Sequence, residues 1–226
     1  VGQSDGVIVR RSRAEQNVAG IEIENTLNAD VYDNVASGNT GGILVFNMPG
    51  LSQQGGNIRV YDNKVIANNH ENFGAKGTPV ASVPAGSGIV INSNDDIEVF
   101  GNEIRDNATA NIIVSSVYST GYKDSSASPN FDPYPERIFI HGNTLSGGGR
   151  LNTWDSQNRL VKSVSGDLGF NVIFGGMGAD EKKCQGKRSQ HRCCSREFAT
   201  RLFGRGGAGN DIGQRSGAAQ GQALDP

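Results

Sequence analysis

Apolar residues recur along residues 1–149 in short alternating runs. Gly20-Ile21-Glu22-Ile23-Glu24-Asn25 can be laid over Gly42-Ile43-Leu44-Val45-Phe46-Asn47, Gly88-Ile89-Val90-Ile91-Asn92-Ser93 and Asn111-Ile112-Ile113-Val114-Ser115-Ser116. Alternate positions of each run hold Ile or Val, the pattern of a short strand with one face turned inward. A second run follows each of them or precedes it: Asp30-Val31-Tyr32-Asp33-Asn34, Arg59-Val60-Tyr61-Asp62-Asn63, Glu98-Val99-Phe100-Gly101-Asn102 and Phe139-Ile140-His141-Gly142-Asn143. Five residues after each Asn stands a further one, pairing Asn34 with Asn39, Asn63 with Asn68 and Asn102 with Asn107; Asn143 is followed instead by Gly148. Ser12 and Asn17 take the same two places at the front.

The shortest period is 22 residues, from Gly20 to Gly42, and longer coils arise by insertion. So short a unit cannot bury its own apolar face, but it fits one turn of a solenoid with three short strands, whose like positions stack at about 4.8 Å. Period-2 alternation then sends Ile21, Ile43, Ile89 and Ile112 inward, with Ile23, Val45, Ile91 and Val114 beside them. Val31, Val60, Val99 and Ile140 make another row, and Ala14, Ala36, Val65, Ile104 and Leu145 a third. Asn34, Asn63, Asn102 and Asn143, and likewise Asn17, Asn39, Asn68 and Asn107, fall where the chain must turn. Their amides can bond from coil to coil, and Asn tolerates left-handed backbone, so both series are expected to be structural ladders.

The repeated G-I-x-I-x-N, V-x-x-N and following x4-N resemble the right-handed parallel β-helix repeat family of pectin-lyase-like architecture, in particular the bacterial parallel β-helix domain proteins. The resemblance covers residues 1–149, and it implies an all-β chain of about five coils with three short strands each. Such proteins usually carry a signal peptide and further N-terminal coils, so the chain reads as an N-terminally truncated piece of an exported protein, secreted, periplasmic or at the cell surface. The expected organisation is coils over 1–149, a β-rich C-terminal cap over 150–180 and a basic, Gly-rich tail over 181–226 that is disordered or irregular.

With the inside packed, function is expected on outward rows and insertions. Insertions fall at 47–57, 70–87 and 117–136, the first and third leaving at the same corner. On the second strand an outward row reads Arg10, Tyr32, Tyr61, Phe100, His141, and its neighbour Ile8, Asp30, Arg59, Glu98, Phe139. Stacked rings can form a platform for sugar rings or simply stabilise the sheet. Tyr32, Tyr61, Phe100 and His141 are therefore the candidate substrate-binding residues, and Asp30-Arg59-Glu98 reads as an exposed ion-pair ladder. Leu44, Val90 and Ile113 also face outward and are expected to lie under a loop or the C-terminal segment.

Lyase or epimerase chemistry on a uronic acid requires a neutralised carboxylate and a base. The outward acids are too scattered to compose that site, and His141 with Tyr122 and Asp124 is the best catalytic candidate available. The chain is accordingly expected to bind or process a polysaccharide or cell-surface glycan of uronic-acid type, lyase- or epimerase-like at most, the competing reading being a non-catalytic structural or adhesive scaffold.

Charge sharpens this division of the chain. Residues 181–226 hold nine Lys/Arg against four Asp/Glu, whereas 1–180 hold twelve against nineteen. An acidic body disfavours nucleic acid and anionic membrane as partners, and no apolar run is long enough for membrane insertion. Of 22 Asn, 21 lie at or before Asn171, and all three Cys fall in the tail. Cys184, His191, Cys193 and Cys194 lack the C-x-x-C pair of a zinc site. Gly175 to Asp180 and Gly206 to Asp211 each match G-G-x-G-x-D. Both resemble the start of the calcium-binding nonapeptide of repeats-in-toxin proteins, which makes Asp180 and Asp211 candidate Ca²⁺ ligands, although their 31-residue separation is no multiple of nine.

Overall fold

The computed structural model describes residues 1–117, 130–149 and 172–174. Among the described residues, fifteen strands form three parallel sheets of five. Sheet 1 stacks β1 (Asp5–Arg10), β4 (Leu27–Tyr32), β7 (Gly56–Tyr61), β10 (Asp95–Phe100) and β13 (Ile138–His141). Sheet 2 stacks β2 (Arg13–Glu15), β5 (Val35–Ser37), β8 (Lys64–Ile66), β11 (Glu103–Arg105) and β14 (Thr144–Ser146). Sheet 3 stacks β3 (Ala19–Glu24), β6 (Gly41–Phe46), β9 (Ser87–Asn92), β12 (Ala110–Ser115) and β15 (Val172–Phe174). The chain visits the sheets in the order 1, 2, 3 and returns one strand further along, which makes it a parallel β-helix of five coils.

Every inward row expected from the alternation is present in register. Ile21, Ile43, Ile89 and Ile112 pair in succession, as do Ile23, Val45, Ile91 and Val114. Val31, Val60, Val99 and Ile140 line sheet 1, and Ala14, Ala36, Val65, Ile104 and Leu145 line sheet 2. These residues meet in one continuous apolar core, and most are fully buried.

Both Asn series are single-file ladders. Nδ2 of Asn34 donates to Oδ1 of Asn63, Asn63 to Asn102 and Asn102 to Asn143, at 2.8–2.9 Å. The second ladder runs from Asn17 through Asn39 and Asn68 to Asn107 at 2.9–3.3 Å, and ends on Oδ1 of Asn111. Each Oδ1 also accepts the backbone N–H of the preceding ladder residue, and each Nδ2 reaches a strand carbonyl such as Val31 O or Ala36 O. Corner groups that would be orphaned inside the rod are thereby satisfied. The left-handed residue is not the Asn but the one before it. Asp33, Asp62, Gly101 and Gly142 precede the first ladder, and Gln16, Gly38, Ala67 and Asp106 the second, all with φ between 49° and 65°.

A further left-handed row, not anticipated from the sequence, falls at the start of the sheet-1 strands, at Gly6, Asn28, Asn57 and Asp96 within β1, β4, β7 and β10 and at Arg137 just before β13. The side chains of this bulge row link outward, Asn57 Nδ2 to Asn28 Oδ1 and Asn28 Nδ2 to Asp5 Oδ1.

The Gly that opens the first three of the four aligned sheet-3 repeats has a steric cause. A Cβ on Gly20 would stand 2.6 Å from Gly42 O, on Gly42 2.7 Å from Gly88 O, and on Gly88 2.2 Å from Asn111 O. The coils approach too closely there for any side chain.

Candidate functional site

Sheet 1 presents its outer face between two unlike margins. Toward sheet 2, every coil turns in two residues, from Tyr32 to Val35 and from Tyr61 to Lys64, for example, so among the described residues nothing rises at that edge. The margin toward sheet 3 carries the insertions 47–55 and 116–137. Their described parts meet: Gln54 Nε2 donates to Asp132 O, and Asp132 N donates back to Gln54 Oε1. Asn47, fully buried, closes the first insertion by bonding Gly55 through both amide atoms and Ser93 O through Nδ2. The insertion 67–86, with a short 3-10 helix at Pro79–Ser82, leaves from the remaining corner, between sheets 2 and 3.

The expected aromatic row is continuous. Tyr32, Tyr61, Phe100 and His141 occupy one register position of sheet 1, with Arg10 before them. Ring centroids are 4.9 Å apart from Tyr32 to Tyr61 and from Tyr61 to Phe100, and 5.2 Å from Phe100 to His141, with planes within 9° of parallel. Arg10 caps the series, its Nη1 donating to Tyr32 Oη at 3.0 Å and its guanidinium lying 6.0 Å from the ring centre. Phe139, two positions back on the same strand and so on the same outer face, stacks on His141 at 4.2 Å. Because each inner ring has a neighbour on both faces, the row turns ring edges and phenol oxygens to solvent rather than broad faces.

Asp30, Arg59 and Glu98 do not form one ladder. Arg59 makes a two-point pair with Asp30 at 2.6 and 2.7 Å, and Glu98 instead accepts from His141 Nε2 at 3.0 Å. The bidentate pair leaves the fork of Arg59 occupied.

A second group of charges gathers where 130–136 rejoins the rod. Glu136 N donates to Asp95 Oδ1 at 2.8 Å, and Arg137 contacts Asp95, Asp96 and Glu136. Ser93 Oγ donates to Pro133 O and accepts from Val117 N. Burial pushes the Asp95 carboxyl up to about 6, with the Asp132 and Glu136 carboxylates acting in the same sense against the Glu136 N–H and the Arg137 guanidinium. A folded-state value above that of the unfolded chain means that ionising Asp95 weakens the fold. This contribution is intact below about pH 4 and is lost as pH rises to about 6. Asp95→Asn keeps an acceptor for Glu136 N and is expected to flatten the change in urea midpoint between pH 4 and pH 7; a variant with the parent's pH slope would contradict this assignment.

Outward Leu44, Val90 and Ile113 are covered as anticipated. They pack with Phe46, Met48 and Ala110, and Val83 from the 67–86 insertion lies against this cluster. Among the described residues, no three His, Cys, Asp or Glu side chains converge as a metal site, and no helix is long and apolar enough to cross a membrane. Tyr122, Asp124, Asp180 and Asp211 lie outside the described residues. Of the proposed catalytic group, His141 alone can be placed, between Phe100 and Phe139 and bonded to Glu98.

No curated protein and no solved structure matches the chain significantly. The profile of one family, described as right handed beta helix region, matches residues 1–130, more than half of the sequence. With that match joined to three parallel sheets, in-register apolar rows and two coil-to-coil Asn ladders, the chain belongs to the right-handed β-helix family.

Proposed function

We propose that this is a non-catalytic, extracytoplasmic glycan-binding rod that holds an extended, neutral polysaccharide along the outer face of sheet 1. The observation that carries this reading is the unbroken row from Arg10 through Tyr32, Tyr61 and Phe100 to His141, one side chain per coil. A strand spacing of about 4.8 Å is close to the length of one pyranose unit, so a chain lying along the rod meets an equivalent side chain at each sugar. Tyr hydroxyls and ring edges offer both polar and apolar contact. A uronic-acid chain is less well served, because Arg59 is tied to Asp30 and Arg137 to Asp95 and Asp96. Lyase or epimerase chemistry would need those cations free to neutralise a substrate carboxylate. The competing reading, a structural or adhesive scaffold, draws its support from the mutual covering of the ring faces.

Titration of neutral oligosaccharides and of oligouronates against the full chain, followed by calorimetry and intrinsic fluorescence, separates these readings. Binding of a neutral glycan that Tyr61→Ala weakens about five- to tenfold, equivalent to the ~1 kcal/mol typical of an aromatic contact, is the expected result. Absence of binding to both classes favours the scaffold. Growth of ultraviolet absorbance from an unsaturated uronate product would replace binding by processing.

A further inference from the structure

We propose that Tyr32 and Tyr61 form a site of intrachain dityrosine cross-linking that covalently joins two successive coils. This inference is independent of the glycan reading. The two residues are direct partners across parallel strands, 29 positions apart in the chain. Their rings are 4.9 Å apart between centroids and within 9° of parallel, so like carbons of the two rings face each other at about the strand spacing. Both rings are half-buried and, among the described residues, lie on a face of sheet 1 whose margin toward sheet 2 carries two-residue turns alone, which leaves their edges open to a soluble oxidant. The next ring along the stack, Phe100, has no phenol and ends the reactive series after one pair.

The chemistry needs a haem peroxidase with hydrogen peroxide as the oxidant. Each phenol gives one electron and one proton to the oxidant and becomes a phenoxyl radical. The two radicals couple through ring carbons ortho to oxygen, forming one carbon–carbon bond. Each coupled carbon then loses its hydrogen as a proton while the ring oxygen regains one, which restores two phenols. The balance is two tyrosines plus one hydrogen peroxide giving one dityrosine and two waters. Coupling in solution is limited by radicals meeting, whereas the rod holds this pair at contact, an arrangement that converts an encounter into an intramolecular step.

The test is to oxidise the full chain at low concentration with peroxidase and hydrogen peroxide, then to map cross-linked peptides by mass spectrometry. The expected product is a monomer lacking two hydrogens, with Tyr32 joined to Tyr61, formed about tenfold or more faster in the folded chain than in urea. Tyr61→Phe and Tyr32→Phe, which keep the stacked ring, should each abolish it. Phe100→Tyr should add a second product linking positions 61 and 100. A cross-link that forms equally fast in urea would overturn the proposal. So would dityrosine confined to Tyr118, Tyr122 and Tyr134, or to covalent dimers.

Discussion

Asn63→Asp is expected to be the most damaging single-atom change in the rod, destabilising it by at least ~4 kcal/mol at neutral pH. Asn63 is 1% exposed and bonds in both directions along its ladder. Its Oδ1 accepts from Asn34 N and Asn34 Nδ2, and its Nδ2 donates to Val31 O, Tyr61 O and Asn102 Oδ1. A carboxylate there retains the acceptor but replaces the donor by a second oxygen, facing Asn102 Oδ1 and two carbonyls. Each polar group left buried without a partner costs about 1–3 kcal/mol, and the ionised acid adds its own desolvation. Burial among carbonyls raises the acid's pKa above its unfolded value, so the electrostatic penalty is absent below about pH 4 and grows as pH rises. Urea unfolding followed by circular dichroism at pH 4 and pH 7 reads both effects. A loss under about 1 kcal/mol, or the same loss at both pH values, would show that the ladder does not carry the corner. Asn63→Ala separates the two contributions, since it removes the bonds without adding charge and should show little pH dependence.

Gly88→Ala ranks next, because it tests coil spacing rather than polarity. The added methyl would sit 2.2 Å from Asn111 O and 2.9 Å from the ladder amide of Asn107, and neither belongs to a flexible side chain end free to swing away. Relief requires β9 and β12 to part locally, against the hydrogen bonds that join Ala110 through Ser115 to Ser87 through Asn92. Overpacking of this kind typically costs 1–3 kcal/mol, and with backbone as the obstacle the loss should reach about 3 kcal/mol. Gly38→Ala is the matched control: a Cβ there meets nothing within 4 Å, although φ is 65°, so the cost is that of a left-handed backbone, about 1 kcal/mol. Thermal or urea midpoints that rank these two variants in the opposite order would remove the steric explanation for the repeat's glycine.

The parts of this fold that could be read from the sequence are those in which one chemistry recurs at one place. Ile and Val at alternate positions fix which face is inside, and repeated Asn identifies the corners, because core rows and amide ladders both require like residues to stack. The bulge row was hidden for the converse reason. Gly6, Asn28, Asn57, Asp96 and Arg137 share a backbone conformation and no side-chain chemistry, and left-handed φ at Arg137 follows from position in the coil rather than from residue preference. The outward row of sheet 1 was visible as a list of residues, yet alternation does not state whether rings show faces or edges. That depends on the 4.9 Å approach of one coil to the next. Asp95 carries no such signal, because its neighbours Asp132, Glu136 and Arg137 return to it across an insertion whose length no periodicity predicts.

The amide ladders span 22 and 29 residues, then 29 and 39, and 39 and 41, and every rung stays within hydrogen-bond reach at 2.8–3.3 Å. Register along the rod is thus uncoupled from the amount of chain between neighbouring rungs. The entropic toll of lengthening a connection grows only logarithmically, by about 0.6 kcal/mol per doubling. A rod built this way can exchange or enlarge its side branches while its geometry stays the same, so new surfaces can be grafted at the two corners that already tolerate them, without redesigning a single rung.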